Sequence, residues 1–208
     1  IGESQLVTVL ADLIDKQTDL TLAPYAKVGE VTLRLSTKAD SQEEANVRLN
    51  QLEEEILQRD HLRVFFYAYG DDNSLVKTVA TLLEEKKQSL GILENGTGGL
   101  LQAELSLALA GQPYYSGGKI IGQLGTESGG LSEEASRIRE ELQADLGLVV
   151  SVAVKPESTV DNVLAKVYLA LASTSGISKK EVDLGGYSWQ YLRQLACLQA
   201  LDFVRNTL

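Results

Sequence analysis

Ser89-Leu-Gly-Ile-Leu-Glu-Asn-Gly-Thr-Gly-Gly-Leu-Leu101 is the stretch that decides the fold of this chain. Ser89–Leu93 has the length of a short buried strand, Glu94–Gly99 is a glycine-rich turn, and Leu100–Leu109, with Ala103, Leu107 and Ala108, reads as an apolar helix. Strand, tight turn and helix in that order form the unit of α/β domains. The arrangement leaves unpaired backbone N–H groups and the Thr97 hydroxyl at a helix start, which suits a phosphate or carboxylate. Glu94, Thr97, Gly98 and Gly99 are therefore candidate anion-binding residues. The same glycines equally serve a plain tight turn with close helix packing, because the stretch is neither a full G-x-G-x-x-G nor a P-loop with its lysine.

Working outward toward the C-terminus, Ser74 caps a helix carrying Leu75, Val76, Val79, Leu82 and Leu83 on one face. Tyr114–Ile121 reads as a second strand, and Ser132 opens a charged-faced helix reaching to Leu146. Leu148–Val154 and Val163–Ala172 are buried strands, and Ser188–Leu208 is helical. Strands alternating with helices over residues 74–208 predict a three-layer α/β domain with a parallel or mixed sheet. Toward the N-terminus, Gln5–Ile14 behind Ser4 has helical spacing. Lys27-Val28-Gly29 is a turn, and Val31, Leu33 and Leu35 alternate with polar residues in a half-exposed strand over Glu30–Thr37. Ser41-Gln-Glu-Glu44 is a capping box opening a helix with Ala45, Leu49, Leu52 and Ile56 on one face, and Val64–Tyr69 is strand-like. Residues 1–73 are thus expected to form a small α+β module of helix, strand, helix and strand, closed by the boundary loop Gly70-Asp-Asp-Asn73.

Composition narrows the chemistry. The chain has 208 residues, 44% of them hydrophobic, with Lys+Arg 19 against Asp+Glu 29 and a net charge of −10. Residues 1–73 hold 7 basic and 14 acidic side chains, net −7, and residues 74–208 hold 12 and 15, net −3. This balance argues against nucleic acid or anionic lipid as partner. A KH-type RNA reader needs a G-x-x-G loop and basic surroundings, and residues 1–73 have neither. With Cys197 the one cysteine and His61 the one histidine, a disulfide framework and a His/Cys zinc site are excluded. Cys197, between Ala196 and Leu198, reads as a buried apolar residue, His61 as a solvated helix-end cap, and Glu53-Glu54-Glu55 as a solvated helix face. No apolar stretch reaches the ~18–20 residues that span a bilayer, so a soluble, cytoplasmic protein is expected. The chain opens on Ile1-Gly2-Glu3 and contains no methionine, which leads us to expect a piece of something longer.

Over nearly its whole length the sequence resembles the competence/damage-inducible CinA proteins, from their middle domain to their C-terminus. Ile1-Gly2-Glu3-Ser4, the segment Ala23-Pro24-Tyr25-Ala26-Lys27-Val28-Gly29-Glu30-Val31-Thr32-Leu33-Arg34-Leu35 and Tyr69-Gly70 resemble the middle domain. Glu94–Gly99 is similar to the E-S-C-T-G-G motif of the C-terminal domain, Ser128-Gly-Gly-Leu-Ser-Glu-Glu134 to its H-G-A-V-S-E-E, and Leu192-Arg193 to Leu208 to its last helix. The resemblance implies a KH-like middle domain over 1–73 and a nicotinamide-nucleotide amidohydrolase-like domain over 74–208. It also implies a preceding molybdopterin-binding-like domain, absent from this chain. In the family the C-terminal domain converts nicotinamide mononucleotide to nicotinic acid mononucleotide and ammonia without a metal, with the motif serine as nucleophile and a lysine from Y-S-N-x-x-K as base.

Carried over residue by residue, those parts are replaced. The nucleophile position is Asn95, which has no ionisable proton, and the cysteine position is Gly96. After Gly117-Gly118 the chain reads Lys119-Ile-Ile-Gly-Gln-Leu124 and is shortened before Glu127, so the base has no counterpart; Lys119, the nearby lysine, sits on the strand. The G-I-A-G-P-x-G-G loop becomes Val152-Ala-Val-Lys-Pro-Glu-Ser158, keeping Ser151 and Pro156, and G-D-R becomes Tyr187-Ser188-Trp189, losing an arginine suited to an anion. Trp189 either packs on the core or stacks on a ligand ring. The resemblance therefore implies no catalytic residue, and an anion or substrate site of Glu94, Thr97, Gly98, Gly99 and Ser151. The expected role is structural, dimerising as a homo-oligomer, or nucleotide-sensing. A pyridine mononucleotide is the ligand to which the resemblance points, and neither metal, cofactor, membrane nor nucleic acid is implied. The alternative is an active deamidase recruiting Thr97 or Ser116 as nucleophile.

Overall fold

The computed structural model describes residues 2–122 and 128–208, so Ile1 and the stretch containing Gln123, Leu124 and Glu127 lie outside the described residues. The chain separates into two units, Ile1–Asp72 and Asn73–Leu208.

In the first unit the expected helix over Gln5–Ile14 is two, α1 (Glu3–Val9) and α2 (Ala11–Asp15), divided where fully buried Leu10 leaves helical geometry. A strand that the sequence pattern did not reveal, β1 (Leu20–Lys27), pairs antiparallel with β2 (Glu30–Thr37) across the turn at Val28-Gly29. Val31, Leu33 and Leu35 of β2 join Leu6, Leu10, Leu22, Leu52, Ile56 and Leu62 in one core. Helix α3 (Gln42–Gln58) begins as expected, with Ser41 Oγ accepting the Glu44 N–H at 3.1 Å. The Glu44 carboxylate reaches back to the N–H of Asp40 rather than of Ser41.

A 3₁₀ turn, Arg59–His61, leads from α3 into α4 (Leu62–Phe65), with Asp60 and His61 both left-handed at φ 40° and 58°. His61 is an exposed linker between helices, not the cap of α3. The strand expected over Val64–Tyr69 does not form. Its first residues complete α4, and Tyr67 and Tyr69 donate their hydroxyls to Glu30 and Glu53. Aromatic β-propensity expresses packing on a sheet face, and here Val64, Phe65 and Tyr69 remain exposed.

The second unit begins with α5 (Leu75–Lys86), capped by Ser74 and closed at Lys87, a left-handed residue at φ 52°. Its Schellman end pairs Gln88 N–H with Leu83 O and Lys87 N–H with Glu84 O. Then follow β3 (Leu90–Asn95), α6 (Leu100–Ala108), β4 (Tyr115–Ile121), α7 (Ser128–Glu141), β5 (Leu146–Val154), β6 (Val163–Ser173), β7 (Gly176–Tyr187) and α8 (Trp189–Thr207). Helix α7 starts four residues before the expected Ser132. Strand β7, unforeseen, pairs with β6 over its whole length. Among the described residues the sheet order is β4-β3-β5-β6-β7, with β3 parallel to β4 and β5, and β6 antiparallel to both its neighbours.

The sheet is mixed and covered on both faces. Leu93, Val149, Ala170 and Ala172 point to Leu131, Ala135 and Ile138 of α7. Alternation along the strands sends Ile92, Leu148 and Leu171, all fully or nearly fully buried, to the other face, where α5 and α6 pack against α8. The chain leaves β3 for α6 on one face and β4 for α7 on the other. Such a divergence, at the carboxyl ends of β3 and β4, is the place where α/β sheets bind ligands.

Candidate functional site

Strand β3 is buried along its length, and its last residues set the chemistry of this edge. Glu94 shares the face of Ile92 and so turns toward α6 and α8. Its Oε1 accepts the Gln102 N–H at 2.8 Å, and its Oε2 accepts the Thr97 hydroxyl. Helix α6 starts at Leu100 behind Gly99, which has no side chain to cap it, and Glu94 supplies the cap from the preceding strand. Both Glu94 and Thr97 are 0% exposed. The negative charge favoured by a helix N-terminus is thus provided by the protein's own carboxylate.

Asn95 and Ser151 form a second, separate pair. Asn95 Nδ2 donates to Ile121 O at 3.1 Å on β4, and its Oδ1 accepts the Ser151 hydroxyl at 3.2 Å on β5. Asn95, at 8% exposure, therefore ties the ends of three neighbouring strands together. Gly96 follows at φ +83°, seated so closely on β5 that a Cβ there would stand 2.8 Å from Val152 Cβ. β5 runs on through Val154, and beyond it the Ser158 hydroxyl accepts from Leu164 N–H and donates to Leu164 O.

Gly98, at φ +68°, brings in a residue that no motif pointed to. A Cβ on Gly98 would lie 3.1 Å from Nη1 of Arg193, in the second turn of α8. Only the docking of α8 on the sheet joins these positions. The available signal was that Arg193 precedes Cys197 by four residues, on a helix otherwise read for its apolar face.

The other candidates go elsewhere. Lys119, beside Leu93 in the β3–β4 register, pairs with Glu141 at the end of α7, on the face opposite Glu94. Tyr115 bonds Gln102 Oε1 at 3.3 Å; burial and the Glu94 charge push its phenol up, so it stays protonated. Burial, then the charges of Glu94 and Glu104, push the Cys197 thiol far above the range in which a thiolate forms near neutrality. Trp189, the first residue of α8, is 37% exposed, and the ring centroids of Tyr187 and Tyr191 lie 4.9 Å apart. A groove of about 660 Å³ lined by Lys86, Ile177 and Leu208 lies at the opposite end of the sheet, away from all of these. Among the described residues no His/Cys/Asp/Glu group is arranged to hold a metal ion, and no helix is long and apolar enough to cross a membrane.

Fold and site define a class: a small α+β module followed by a three-layer α/β domain whose strand–turn–helix edge is closed by a carboxylate–hydroxyl pair and an amide clamp. The chain belongs to the competence/damage-inducible CinA family. The family model described as the damage-inducible protein CinA KH domain matches residues 1–68. A competence-damage inducible protein of Streptococcus suis (strain 98HAH33) is 82% identical over 208 residues, covering 100% of this chain and 53% of that protein. One from Streptococcus agalactiae serotype III (strain NEM316) is 37% identical over 231 residues, covering 100% and 55%. The second alignment is longer than this chain, so that relative carries insertions which the S. suis protein lacks. A crystal structure of a CinA superfamily protein from Escherichia coli shares the fold, with TM-score 0.53 and 18% identity over 71% of this chain and 98% of that one. The chain spans about half the length of the curated relatives it matches.

Proposed function

We propose that the second unit binds a pyridine mononucleotide without hydrolysing its amide, as the sensing part of a longer CinA-family protein. One observation carries this reading: the position of the family nucleophile is Asn95, whose side chain is hydrogen-bonded at both ends, to Ile121 O and Ser151 Oγ. An amide forms no acyl intermediate, and this one is held by a hydrogen bond at each end. The nearby lysine, Lys119, is engaged with Glu141 on the other face.

The rival reading, an active deamidase, draws on the contact of the Thr97 hydroxyl with the Glu94 carboxylate, a nucleophile beside a base. Against it, both groups are fully buried and the carboxylate is already engaged with α6, so a substrate carbonyl has no approach. For the first unit, its net charge of −7 supports a packing or spacer role rather than RNA binding. The test is incubation of the 208-residue chain with nicotinamide mononucleotide while ammonia is followed. We expect no release, together with a rise in the thermal midpoint of the second unit. Sustained release that disappears in Thr97→Val or Ser116→Ala overturns the proposal.

A further inference from the structure

Arg193 stands apart from the other arginines of the chain. Every other arginine has a carboxylate oxygen within 4.0 Å. Arg193 makes no hydrogen bond or ion pair among the described residues, and its Nε is sealed from solvent with no partner. A guanidinium N–H taken out of water and left unpaired is costly, and natural structures tolerate it where a ligand or ion completes the set. The only other buried side-chain polar atom without a partner among the described residues, Ser132 Oγ, belongs to the first half of α7, which starts from this same edge of the sheet. The guanidinium lies against Gly98, where the absence of a side chain leaves it room. Trp189 is one helical turn earlier on the same face of α8, an axial rise of ~6 Å, about the span of one ribose between a base and its phosphate.

We propose that Arg193 is the anion-binding residue of this edge, holding a phosphate monoester beside Gly98 while the Trp189 indole stacks on the ring of the same ligand. The ring rests on the pyridine mononucleotide reading above; the phosphate does not. Glu94, a fully buried carboxylate of this edge, has its oxygens occupied by Thr97 and Gln102 and makes no ion pair with Arg193. Among the described residues no carboxylate takes up the guanidinium fork, which leaves it to a ligand. Two planar donor directions match two phosphate oxygens, which a lysine cannot reproduce.

The test uses the intact 208-residue chain, with inorganic phosphate and nicotinamide mononucleotide as separate probes. Thermal midpoint and Trp189 fluorescence are the readouts. Both probes are expected to raise the midpoint, and only the nucleotide to quench the indole. Arg193→Gln should abolish the phosphate response and weaken nucleotide binding about tenfold to a hundredfold, as loss of a charge-assisted contact does. Arg193→Lys should fall between. Trp189→Leu should weaken the nucleotide and leave phosphate unchanged. In the unaltered chain the Arg193 Nε–H resonance should shift on adding phosphate, a readout that needs no variant to fold. A wild-type chain indifferent to both probes, or an Arg193→Gln chain that binds both as wild type does, overturns the proposal. So does an Arg193→Gln chain that merely loses the same stability with and without phosphate, the mark of a long-range counter-charge to Glu94. Ammonia release, by contrast, bears on the non-catalytic reading alone.

Discussion

Replacing Thr97 by valine removes one hydroxyl and almost no volume, which isolates the bond it donates to Glu94. Both residues are 0% exposed, and the carboxylate keeps only the Gln102 N–H at 2.8 Å once the hydroxyl is gone. A hydrogen bond to a charged group contributes about 1.5–3 kcal/mol, and in a sealed site no water replaces it, so the upper half of that range is expected. Thr97→Ser retains the hydroxyl and loses a buried methyl, for about 1 kcal/mol. Trp189 is the one tryptophan and belongs to the second unit, so urea unfolding followed by its fluorescence reports that unit alone. Pairing the valine variant with Glu94→Gln completes a double-mutant cycle, with a coupling of about 1 kcal/mol or more expected between the two positions. A valine variant no less stable than the serine variant, or a cycle with no coupling, would refute the assignment of Glu94 and Thr97 as an internal helix cap.

Gly96→Ala places a Cβ 2.8 Å from Val152 Cβ at φ +83°, and should cost the second unit about 2 kcal/mol or more in the same assay. Lys87→Gly removes left-handed strain at φ 52° behind α5 and should stabilise that unit by about 0.5–1 kcal/mol. On the acid side, hydrogen bonds from Arg59, Lys119 and Lys155 hold Asp12, Glu141 and Asp183 below the ordinary carboxylate range. Their folded values are depressed, so their contribution is complete above ~pH 5 and is lost as pH falls through values below ~4. These pairs are exposed, so added salt should shrink the acid-side dependence in urea titrations between pH 3 and 6.

What the sequence revealed and what it hid follow from how local each signal is. Ser41 and Ser74 cap helices through bonds three residues long, Glu44 N–H to Ser41 and Lys77 N–H to Ser74, and both were readable; Ser188, expected as the first helical residue, caps α8 in the same way. β2 was legible because Val31, Leu33 and Leu35 face a core while their neighbours do not. β1 contains Pro24 and alanines, which blur a period of two. β7 carries Lys179, Lys180, Glu181 and Asp183, the charges of a managed sheet edge, and is a strand only through its register with β6. Gly129-Gly130 in the first turn of α7 hid that helix's start. At the candidate site, Glu94 to Gly99 were visible as a group. Their partners Gln102, Ile121 and Arg193 come from a helix face, a neighbouring strand and the last helix, and only the assembled sheet brings them together.

Calorimetric titration of the intact chain with nicotinamide mononucleotide reads binding and turnover at once. Binding without hydrolysis predicts a saturating isotherm whose heat flow returns to baseline after every injection, with the nucleotide recovered unchanged. A persistent heat flow proportional to protein concentration, accompanied by ammonia, or the absence of any binding heat at every temperature tried, would contradict it.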